Sequence, residues 1–236
     1  MVREYFFADR TSLFVALLAD CSAVLDTATQ HRESVSMLVS GGSSPELLYR
    51  QLSSVELDWK KIQVALVDER WVGADHEGSN ELFIAKNLLL NRAADATFIP
   101  MKMEAETAVL GQKYCEQFYR QLPRPFDLVI LGMGLDGHTA SLFPHARGLD
   151  KALDVTDNTL CVAITAIATE VTGELTERMS LSVYGLLQSR QLHLLILGEA
   201  KLAAYKRALV SEDVKATPIS VLLRQNEVPV SVYWAP

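Results

Sequence analysis

An acid and an imidazole stand two residues apart in a glycine-rich segment, at Asp136 and His138. Gly132, Gly134 and Gly137 surround them, and glycine permits positive φ angles and the close approach of a ligand. Imidazole titrates near neutral pH, so His138 could act as a general base while Asp136 orients or stabilises the ring. Alternatively, His138 caps a following helix and Asp136 is a turn residue. We favour catalysis because the pair directly follows an apolar run.

A second segment, residues 40–44, has the sequence Ser-Gly-Gly-Ser-Ser and precedes a predicted helix. Glycine amides, serine hydroxyls and a helix start together suit a phosphate group. Gly41, Gly42, Ser43 and Ser44 are therefore candidate phosphate ligands, although the spacing of a P-loop is missing. The alternative is an ordinary turn, in which Ser43 with the glutamate three residues later, or Ser44 before a proline, caps the helix.

Three cations follow or lie near other predicted strands: Arg70, Arg178 and Lys201. The planar guanidinium of Arg70 could clamp carboxylate or phosphate oxygens, and the neighbouring Asp68 could position it. Lys201 stands at a predicted helix start, where its charge opposes the helix dipole and favours a bound anion. Each of these cations could instead be an ordinary surface charge.

Three other patterns point to different chemistry, and we do not adopt them. The glycines of residues 132–137 fit GxGxxG, but Pro144 would break a long phosphate-facing helix and Asp136 would repel a pyrophosphate. The chain has no GxSxG elbow of a serine hydrolase, and Ser141 is interpreted as a helix residue. Residues 75–77, Asp-His-Glu, lie in a polar loop without further ligands, so we predict no metal site.

The elements that must position these residues alternate between strand and helix. Apolar periodicity predicts helices near 12–30, 45–52, 80–90, 105–122, 199–210 and 218–223. Apolar runs predict strands at 37–39, 62–67, 126–131, 160–164, 192–197 and 230–233. Such alternation is typical of an α/β fold, a mostly parallel twisted sheet with helices on both faces. In such a sheet the loops at the carboxyl ends of the strands build the ligand site.

Composition limits the possible functions. The 236 residues are 49% hydrophobic, enough for one large α/β domain or two small ones, and their net charge of −7 argues against nucleic-acid binding. The three cysteines lack CxxC spacing, so we expect reduced core residues. No run reaches the roughly 18 apolar residues of a membrane span, and no signal-peptide pattern precedes the first helix. A cytoplasmic enzyme without a membrane partner fits best.

The motifs resemble those of the glucosamine-6-phosphate isomerase/6-phosphogluconolactonase family, on its lactonase branch. The resemblance covers nearly the whole chain and is strongest in residues 132–144, Gly-Met-Gly-Leu-Asp-Gly-His-Thr-Ala-Ser-Leu-Phe-Pro. Supporting motifs are Asp-Glu-Arg-Trp-Val at 68–72, Ser-Asn-Glu at 79–81, Glu-Arg-Met-Ser-Leu-Ser at 177–182 and Gly-Glu-Ala-Lys at 198–201. One departure is residues 166–174, where the family usually has prolines; Gly173 could supply the turn.

The resemblance implies a Rossmann-type fold of the sugar-phosphate isomerase and deaminase kind, and hydrolysis of 6-phospho-D-glucono-1,5-lactone without a cofactor. His138 would then be the base, supported by Asp136, with Arg70 and Asp68 near the reacting end. Arg178 and Lys201 would join the glycine loop in holding the phosphate. The expected partner is a phosphorylated sugar lactone, and the expected state is a monomer or weak homodimer.

Two alternatives remain open within the same fold. One is an amino-sugar or pentose phosphate isomerase, which the absence of Asn-Glu after the histidine turn disfavours. The other is a non-catalytic sugar-phosphate sensor, which would not need His138 and would need a DNA-binding segment that is not evident.

Overall fold

The computed structural model describes residues 1–170 and 172–236. The strands are β1 (Val2–Phe6), β2 (Val35–Val39), β3 (Ile62–Leu66), β4 (Asp68–Arg70), β5 (Thr97–Ile99), β6 (Leu128–Gly132), β7 (Cys161–Thr165), β8 (Glu177–Leu181), β9 (Leu192–Leu197) and β10 (Val230–Ala235). The α-helices are α1 (Arg10–His31), α2 (Glu46–Leu52), α3 (Asn80–Asn87), α4 (Ala108–Tyr119), α5 (Leu149–Leu153), α6 (Val183–Leu187), α7 (Glu199–Val210) and α8 (Ile219–Arg224).

Seven strands form a parallel sheet in the order β1-β10-β9-β6-β2-β3-β5, which confirms the predicted α/β class. The register aligns the strand ends that carry the candidate residues. Val39, the last residue of β2, pairs with Leu66 of β3 on one side and Ile130 of β6 on the other. The loops that leave these three strands therefore start at one edge of the sheet, with β6 extending two residues further to Gly132.

Helices cover both faces of this sheet, as strand alternation at β1 shows. Glu4 accepts a hydrogen bond from Tyr205 of α7. Its neighbour Tyr5 stacks on Tyr233, whose hydroxyl donates to Asp20 of α1. Successive strand residues point to opposite faces, so α7 and α1 lie on opposite sides. Buried apolar residues from both layers and the sheet form one continuous cluster in the described part of the chain.

A second sheet departs from the sequence prediction. β4, β8 and β7 form a three-stranded antiparallel sheet in the order β4-β8-β7. The predicted strand at 160–164 exists as β7, but it belongs to this small sheet and not to the parallel one. Residues 68–70, expected in a loop, are a strand, and Val67 is the only residue between them and β3. β8 was not predicted because its Glu, Arg and Ser interrupt the apolar pattern.

The helix starts also differ in part from the prediction. α2 has Pro45 at its N-cap position and no side-chain cap, so neither Ser43 nor Ser44 caps it. Helix α1 is long and apolar enough, by length and composition alone, to cross a membrane, which is weak evidence because core helices pass the same test. Its side chains Leu13, Leu17 and Leu25 are fully buried in the cluster. These buried side chains place one face of α1 in the core.

The segment at 166–174, where the family usually has prolines, includes Val171, which lies outside the described residues. Within the described part, Gly173 has φ of 64°, a conformation that favours glycine in a turn. The hydroxyl of Thr172 donates a hydrogen bond to the carbonyl of Ile167. The described ends of this loop are thus fixed by local hydrogen bonds.

Candidate active site

A cavity of about 360 Å³ opens at the carboxyl edge of the parallel sheet. The loops after β2 and β6 contribute to it, together with β4 and β8 of the small sheet and the first turns of α3 and α7. The lining includes nine of the ten candidate residues: Gly41, Gly42, Ser43, Ser44, Asp68, Arg70, His138, Arg178 and Lys201. The tenth, Asp136, does not line the cavity and lies behind His138. The structure thus brings together residues that are up to 160 positions apart in the chain.

His138 and Asp136 form a tight pair after β6. The Nδ1 atom of His138 lies 2.6 Å from Oδ1 of Asp136, and the His138 amide donates to the same oxygen at 3.2 Å. A bond to Nδ1 leaves Nε2 without a partner in the described part of the chain. The imidazole is 20% exposed and packs against Phe143, with ring centroids 4.3 Å apart. Nε2 is therefore available to a molecule in the cavity.

The His138–Asp136 pair can form only because the neighbouring turn positions are glycines. A Cβ at Gly134 would lie 2.1 Å from Nδ1 of His138 and 2.4 Å from Oδ1 of Asp136, so a side chain there would displace both. Gly137 has φ of 82°, which favours glycine. Burial raises the pKa of Asp136, but the hydrogen bond and charge of His138 outweigh burial, so the net pKa lies below 3.8. Asp136 is accordingly an anion beside the imidazole.

No helix follows the turn, contrary to the sequence interpretation of His138 as a possible cap and Ser141 as a helix residue. Residues 139–148 form successive turns, and Ala140 has φ of 48°. Ser141 is fully buried, and its hydroxyl donates to Oδ2 of Asp68 at 2.6 Å. Pro144 and the strained backbone at Ala140 are incompatible with a continuous helix here.

This bond also changes the expected role of Asp68. We expected its carboxylate to position Arg70, but no hydrogen bond or ion pair joins the two side chains in the described residues. Arg70 instead donates through Nη1 to the carbonyl of Gly78. Its Nε atom is buried and has no hydrogen-bond partner in residues 1–170 and 172–236. Asp68 and Arg70 are two residues apart in β4 and share one face of the strand, but each has another partner: Ser141, from the turn after β6, for Asp68, and Gly78 for Arg70.

Arg178 lies directly opposite Arg70 in the β4–β8 register. Its guanidinium donates to the carbonyls of Leu175 and Thr172, and it lies 5.4 Å from the ring centroid of Phe143. The residue is 4% exposed. Burial lowers its pKa to about 10, while the Asp68 charge opposes the shift. Two facing arginines give this wall of the cavity a positive charge suited to an anion.

The glycine loop after β2 faces Lys201 of α7. Nζ of Lys201 lies 3.4 Å from the hydroxyl oxygen of Ser44, and burial lowers the pKa of this lysine. Gly42 has φ of 94°, which turns the loop back across the strand ends. Since Ser43 and Ser44 do not cap α2, their hydroxyls remain available for a ligand. The arrangement offers amides, hydroxyls and one ammonium to a phosphate.

The cavity also contains residues to which the sequence analysis gave no role, of which Asn80 and Ser40 are polar. Nδ2 of Asn80 donates to the carbonyl of Asp68 at 2.8 Å. A Cβ at Gly41 would lie 2.0 Å from Oδ1 of Asn80, so the two residues are in direct contact. The Ser-Asn-Glu motif at 79–81 was the available signal, since its serine caps α3.

Glu69 joins the two ends of the loop that carries Asn80. Its buried carboxylate accepts hydrogen bonds from the amides of Arg70, Asn80 and Glu81 and from the hydroxyl of Ser79. Burial raises the pKa of Glu69, although these four bonds oppose the shift. Arg70 and Asn80 are therefore held at fixed positions relative to each other.

The remaining histidines lie outside the cavity. His193 is fully buried and bonds to Asp20, while His31 contacts the carbonyl of Thr27 in its own helix. His145 donates its amide to the carbonyl of Lys215 and does not line the cavity. Residues 75–77 are exposed, and the described residues contain no group of three or more metal-ligating side chains.

Comparisons with known proteins agree on one family. The family model described as glucosamine-6-phosphate isomerases/6-phosphogluconolactonase matches residues 8–234. A protein named 6-phosphogluconolactonase from Rhizobium meliloti (strain 1021) is 39% identical over 98% of both chains. One from Pseudomonas putida is 34% identical, over 100% of this chain and 93% of its own.

Solved structures give the same result. The crystal structure of a 6-phosphogluconolactonase from Shewanella baltica OS155 superposes with a TM-score of 0.94 at 38% identity, covering 100% of this chain and 98% of that one. The structure of 6-phosphogluconolactonase from Trypanosoma brucei has a TM-score of 0.80 at 22% identity, covering 100% and 96%, and supports the fold alone.

Proposed function

The chain belongs to the family of glucosamine-6-phosphate isomerases and 6-phosphogluconolactonases, and we propose that it hydrolyses 6-phospho-D-glucono-1,5-lactone to 6-phospho-D-gluconate. This reaction opens the lactone in the oxidative pentose phosphate pathway. Full-length relatives named as lactonases support the reaction type, which is hydrolysis of a carboxylic ester. The residues of the cavity supply the groups that such a reaction needs.

The base in this proposal is Nε2 of His138. It removes a proton from a water molecule as the water oxygen attacks the lactone carbonyl carbon. The tetrahedral intermediate then collapses, the bond from this carbon to the ring oxygen breaks, and the imidazolium returns its proton to that oxygen. Asp136, an anion hydrogen-bonded to Nδ1, stabilises the imidazolium between the two steps. The scheme uses no metal and no cofactor.

Two parts of the cavity hold the substrate in the proposed complex. Gly41, Gly42, Ser43, Ser44 and Lys201 bind the phosphate, which fixes the lactone carbonyl relative to the base and makes the attack an oriented one. A separate set of residues serves the developing negative charge at the reacting end. In that set Arg70 supplies the positive charge, whereas Arg178 is assigned to the phosphate together with Lys201.

One observation carries the proposal: the imidazole of His138 lines the cavity with Nδ1 held by Asp136, and none of the described residues bonds to Nε2. The direct test is the hydrolysis of freshly generated 6-phosphogluconolactone by the wild-type protein, with the spontaneous rate subtracted. We expect clear acceleration. No acceleration by folded protein would reject the lactonase proposal and favour an isomerase on the same fold.

The phosphate assignment predicts a selective defect in Lys201→Ala. We expect kcat/KM for the phosphorylated lactone to fall by roughly 10- to 100-fold, the scale of a lost charge-assisted hydrogen bond. Hydrolysis of unphosphorylated gluconolactone should change little. Lys206→Ala, on the same helix but outside the cavity lining, is the matched control. Equal losses for the two lactones would contradict the assignment.

We further propose that residues 1–236 act as one domain, as a monomer or weak homodimer in the cytoplasm. The acidic net charge supports the expectation of no nucleic-acid partner. The cavity is suited to a small-molecule partner, the phosphorylated sugar lactone.

A further inference from the structure

Four side-chain atoms in the described part of the chain are buried without a hydrogen-bond partner: Oγ of Ser22, Oγ of Ser40, Nε of Arg70 and Nδ1 of His193. Two of them, those of Ser40 and Arg70, belong to residues that line the cavity. A buried polar atom without a partner destabilises the folded state, so an unpartnered pair at one cavity calls for a ligand that supplies the missing bonds. Arg70 already has a role in the proposed reaction, whereas Ser40 has none.

The backbone of Ser40 is held firmly at the floor of the cavity. Its amide donates to the carbonyl of Ile130 at 3.1 Å, and its carbonyl accepts from the hydroxyl of Tyr49 at 2.8 Å. The residue follows β2, in the middle of the sheet, and is 6% exposed. Both backbone groups are therefore satisfied by protein, whereas the buried hydroxyl has no hydrogen-bond partner among the described residues.

The neighbours of Ser40 indicate which part of a ligand it would meet. The next residue, Gly41, is in contact with Asn80, and Asn80 donates to the carbonyl of Asp68. The other end of the loop, at Ser44, approaches Lys201. The loop thus runs from the side of the cavity near Asn80 and Asp68 to the ammonium that we assign to the phosphate. Ser40 stands at the first of these ends.

The groups around this end suit the hydroxyls of a sugar ring. The Asp68 carboxylate has one oxygen, Oδ2, held by Ser141, which leaves Oδ1 as an acceptor. Nε of Arg70 is an unpartnered donor, and the hydroxyl of Ser40 can donate and accept. Adjacent hydroxyls on a ring also donate and accept, so they can satisfy such a mixed set.

We propose that Ser40 hydrogen-bonds a ring hydroxyl of the substrate and thereby selects hydroxylated lactones over deoxy analogues. The proposal rests on the lactonase function and deepens it, because it assigns a sugar-recognition residue that is separate from the phosphate-binding part of the loop. The class of ligand is a phosphorylated aldonolactone with free ring hydroxyls.

The test compares wild-type protein and Ser40→Ala on 6-phosphogluconolactone and on its 2-deoxy, 3-deoxy and 4-deoxy analogues. We expect Ser40→Ala to lower kcat/KM for the parent lactone by roughly 5- to 20-fold, the effect of one neutral hydrogen bond left unmade. For one deoxy analogue, the one that lacks the hydroxyl bound by Ser40, kcat/KM with the wild-type protein should be lower than for the parent lactone by the same factor. Ser40→Ala should not lower kcat/KM for that analogue any further. For each of the other two analogues, the ratio of its kcat/KM to that of the parent lactone should be the same in Ser40→Ala as in the wild-type protein.

Controls separate the hydroxyl contact from other effects. Ser22→Ala removes an equally unpartnered hydroxyl on α1, outside the cavity lining, and should leave kcat/KM unchanged. Ser40→Cys keeps the size of the side chain with a much weaker hydrogen-bonding group, so it should reproduce the selectivity pattern if Ser40→Ala does not fold.

Every other result counts against the proposal. An unchanged kcat/KM in both Ser40 variants would overturn it. So would a result in which the loss of kcat/KM from the substitution adds to the loss from the missing hydroxyl for all three deoxy analogues. A change confined to the ratio between phosphorylated and unphosphorylated lactone would make Ser40 a phosphate ligand instead. Wild-type protein that accelerates no lactone would overturn the lactonase function itself, which distinguishes that failure from a failure of Ser40 alone.

Discussion

The chain contains two histidine–aspartate pairs of equal hydrogen-bond length in very different surroundings. His138 and Asp136 are 2.6 Å apart beside the cavity, and His193 and Asp20 are 2.6 Å apart between β9 and α1. The imidazole of His138 is 20% exposed and that of His193 only 1%. The first pair follows a strand in a glycine turn, whereas His193 lies inside a strand.

The ring nitrogen that is not bound to aspartate explains the difference. In His138 it is Nε2, which is open to the cavity, while in His193 it is Nδ1, which is buried and has no partner. Tyr233 stacks on His193 and donates to the same carboxylate oxygen of Asp20 at 2.6 Å. The second pair thus connects helix to sheet. A short histidine–aspartate bond alone does not identify a catalytic base, and it is the access to Nε2 that makes His138 the proposed one.

The largest expected effect breaks the first pair. His138→Ala should lower kcat for the lactone by roughly 10²–10⁴-fold, the usual contribution of a general base, with a smaller change in KM. The measurement is the initial rate with the spontaneous reaction subtracted. The melting temperature of the variant should stay near that of the wild type, because the ring is partly exposed. Near-normal turnover by a folded variant would remove His138 from the proposed role.

The same substitution in the second pair should affect stability and spare catalysis. His193→Ala leaves Asp20 without its histidine and should lower the free energy of unfolding by about 2–3 kcal/mol, measured by urea denaturation. Its kcat should remain within about twofold of the wild-type value, because the histidine lies outside the cavity lining. His31→Ala, at the exposed end of α1, is the control. A loss of turnover in His193→Ala equal to that in His138→Ala would contradict the proposed difference between a catalytic pair and a structural pair.

The smallest expected effect concerns the stability of the protein at low pH. Hydrogen bonds from His193 and Tyr233 lower the pKa of Asp20 below 3.8, although burial opposes them. A carboxyl whose pKa is lower in the folded protein stabilises the fold above its unfolded pKa, near pH 4, and this stabilisation disappears as pH falls through the folded value. Asp20→Asn should therefore destabilise the protein at neutral pH, and the difference from wild type should shrink below about pH 4. A difference that is independent of pH would contradict this account.

Sequence patterns predicted the elements that have long or uninterrupted apolar signals. The strand at 192–197 has the observed bounds of β9, and the helix predicted to end near 210 is α7, which ends at Val210. The edge strand β1 was not predicted because most of its residues are exposed and two are charged. The small antiparallel sheet was missed for another reason: β4 continues from β3 after one residue, so the sequence contains no turn that marks the change of sheet.

The site shows the same division between local and distant information. The turn at 132–138, its acid and its imidazole are adjacent in sequence, so their proximity could be predicted. The bond between Ser141 and Asp68 joins residues 73 positions apart. It depends on how the turns after β6 pack against β4, which no local pattern encodes. The unpartnered hydroxyl of Ser40 is likewise a product of packing, since the sequence does not show which polar atoms are buried.

Glu69 has a consequence for how this protein tolerates change. Because one carboxylate bonds to both Arg70 and the start of α3, it closes the intervening loop at its base. Residues 73–77 project into solvent beyond that closure. Lengthening a loop with fixed ends costs only about 0.6 kcal/mol for each doubling. These five positions therefore form a natural insertion point, where evolution or an engineer could attach a new peptide while Arg70 and Asn80 remain in place.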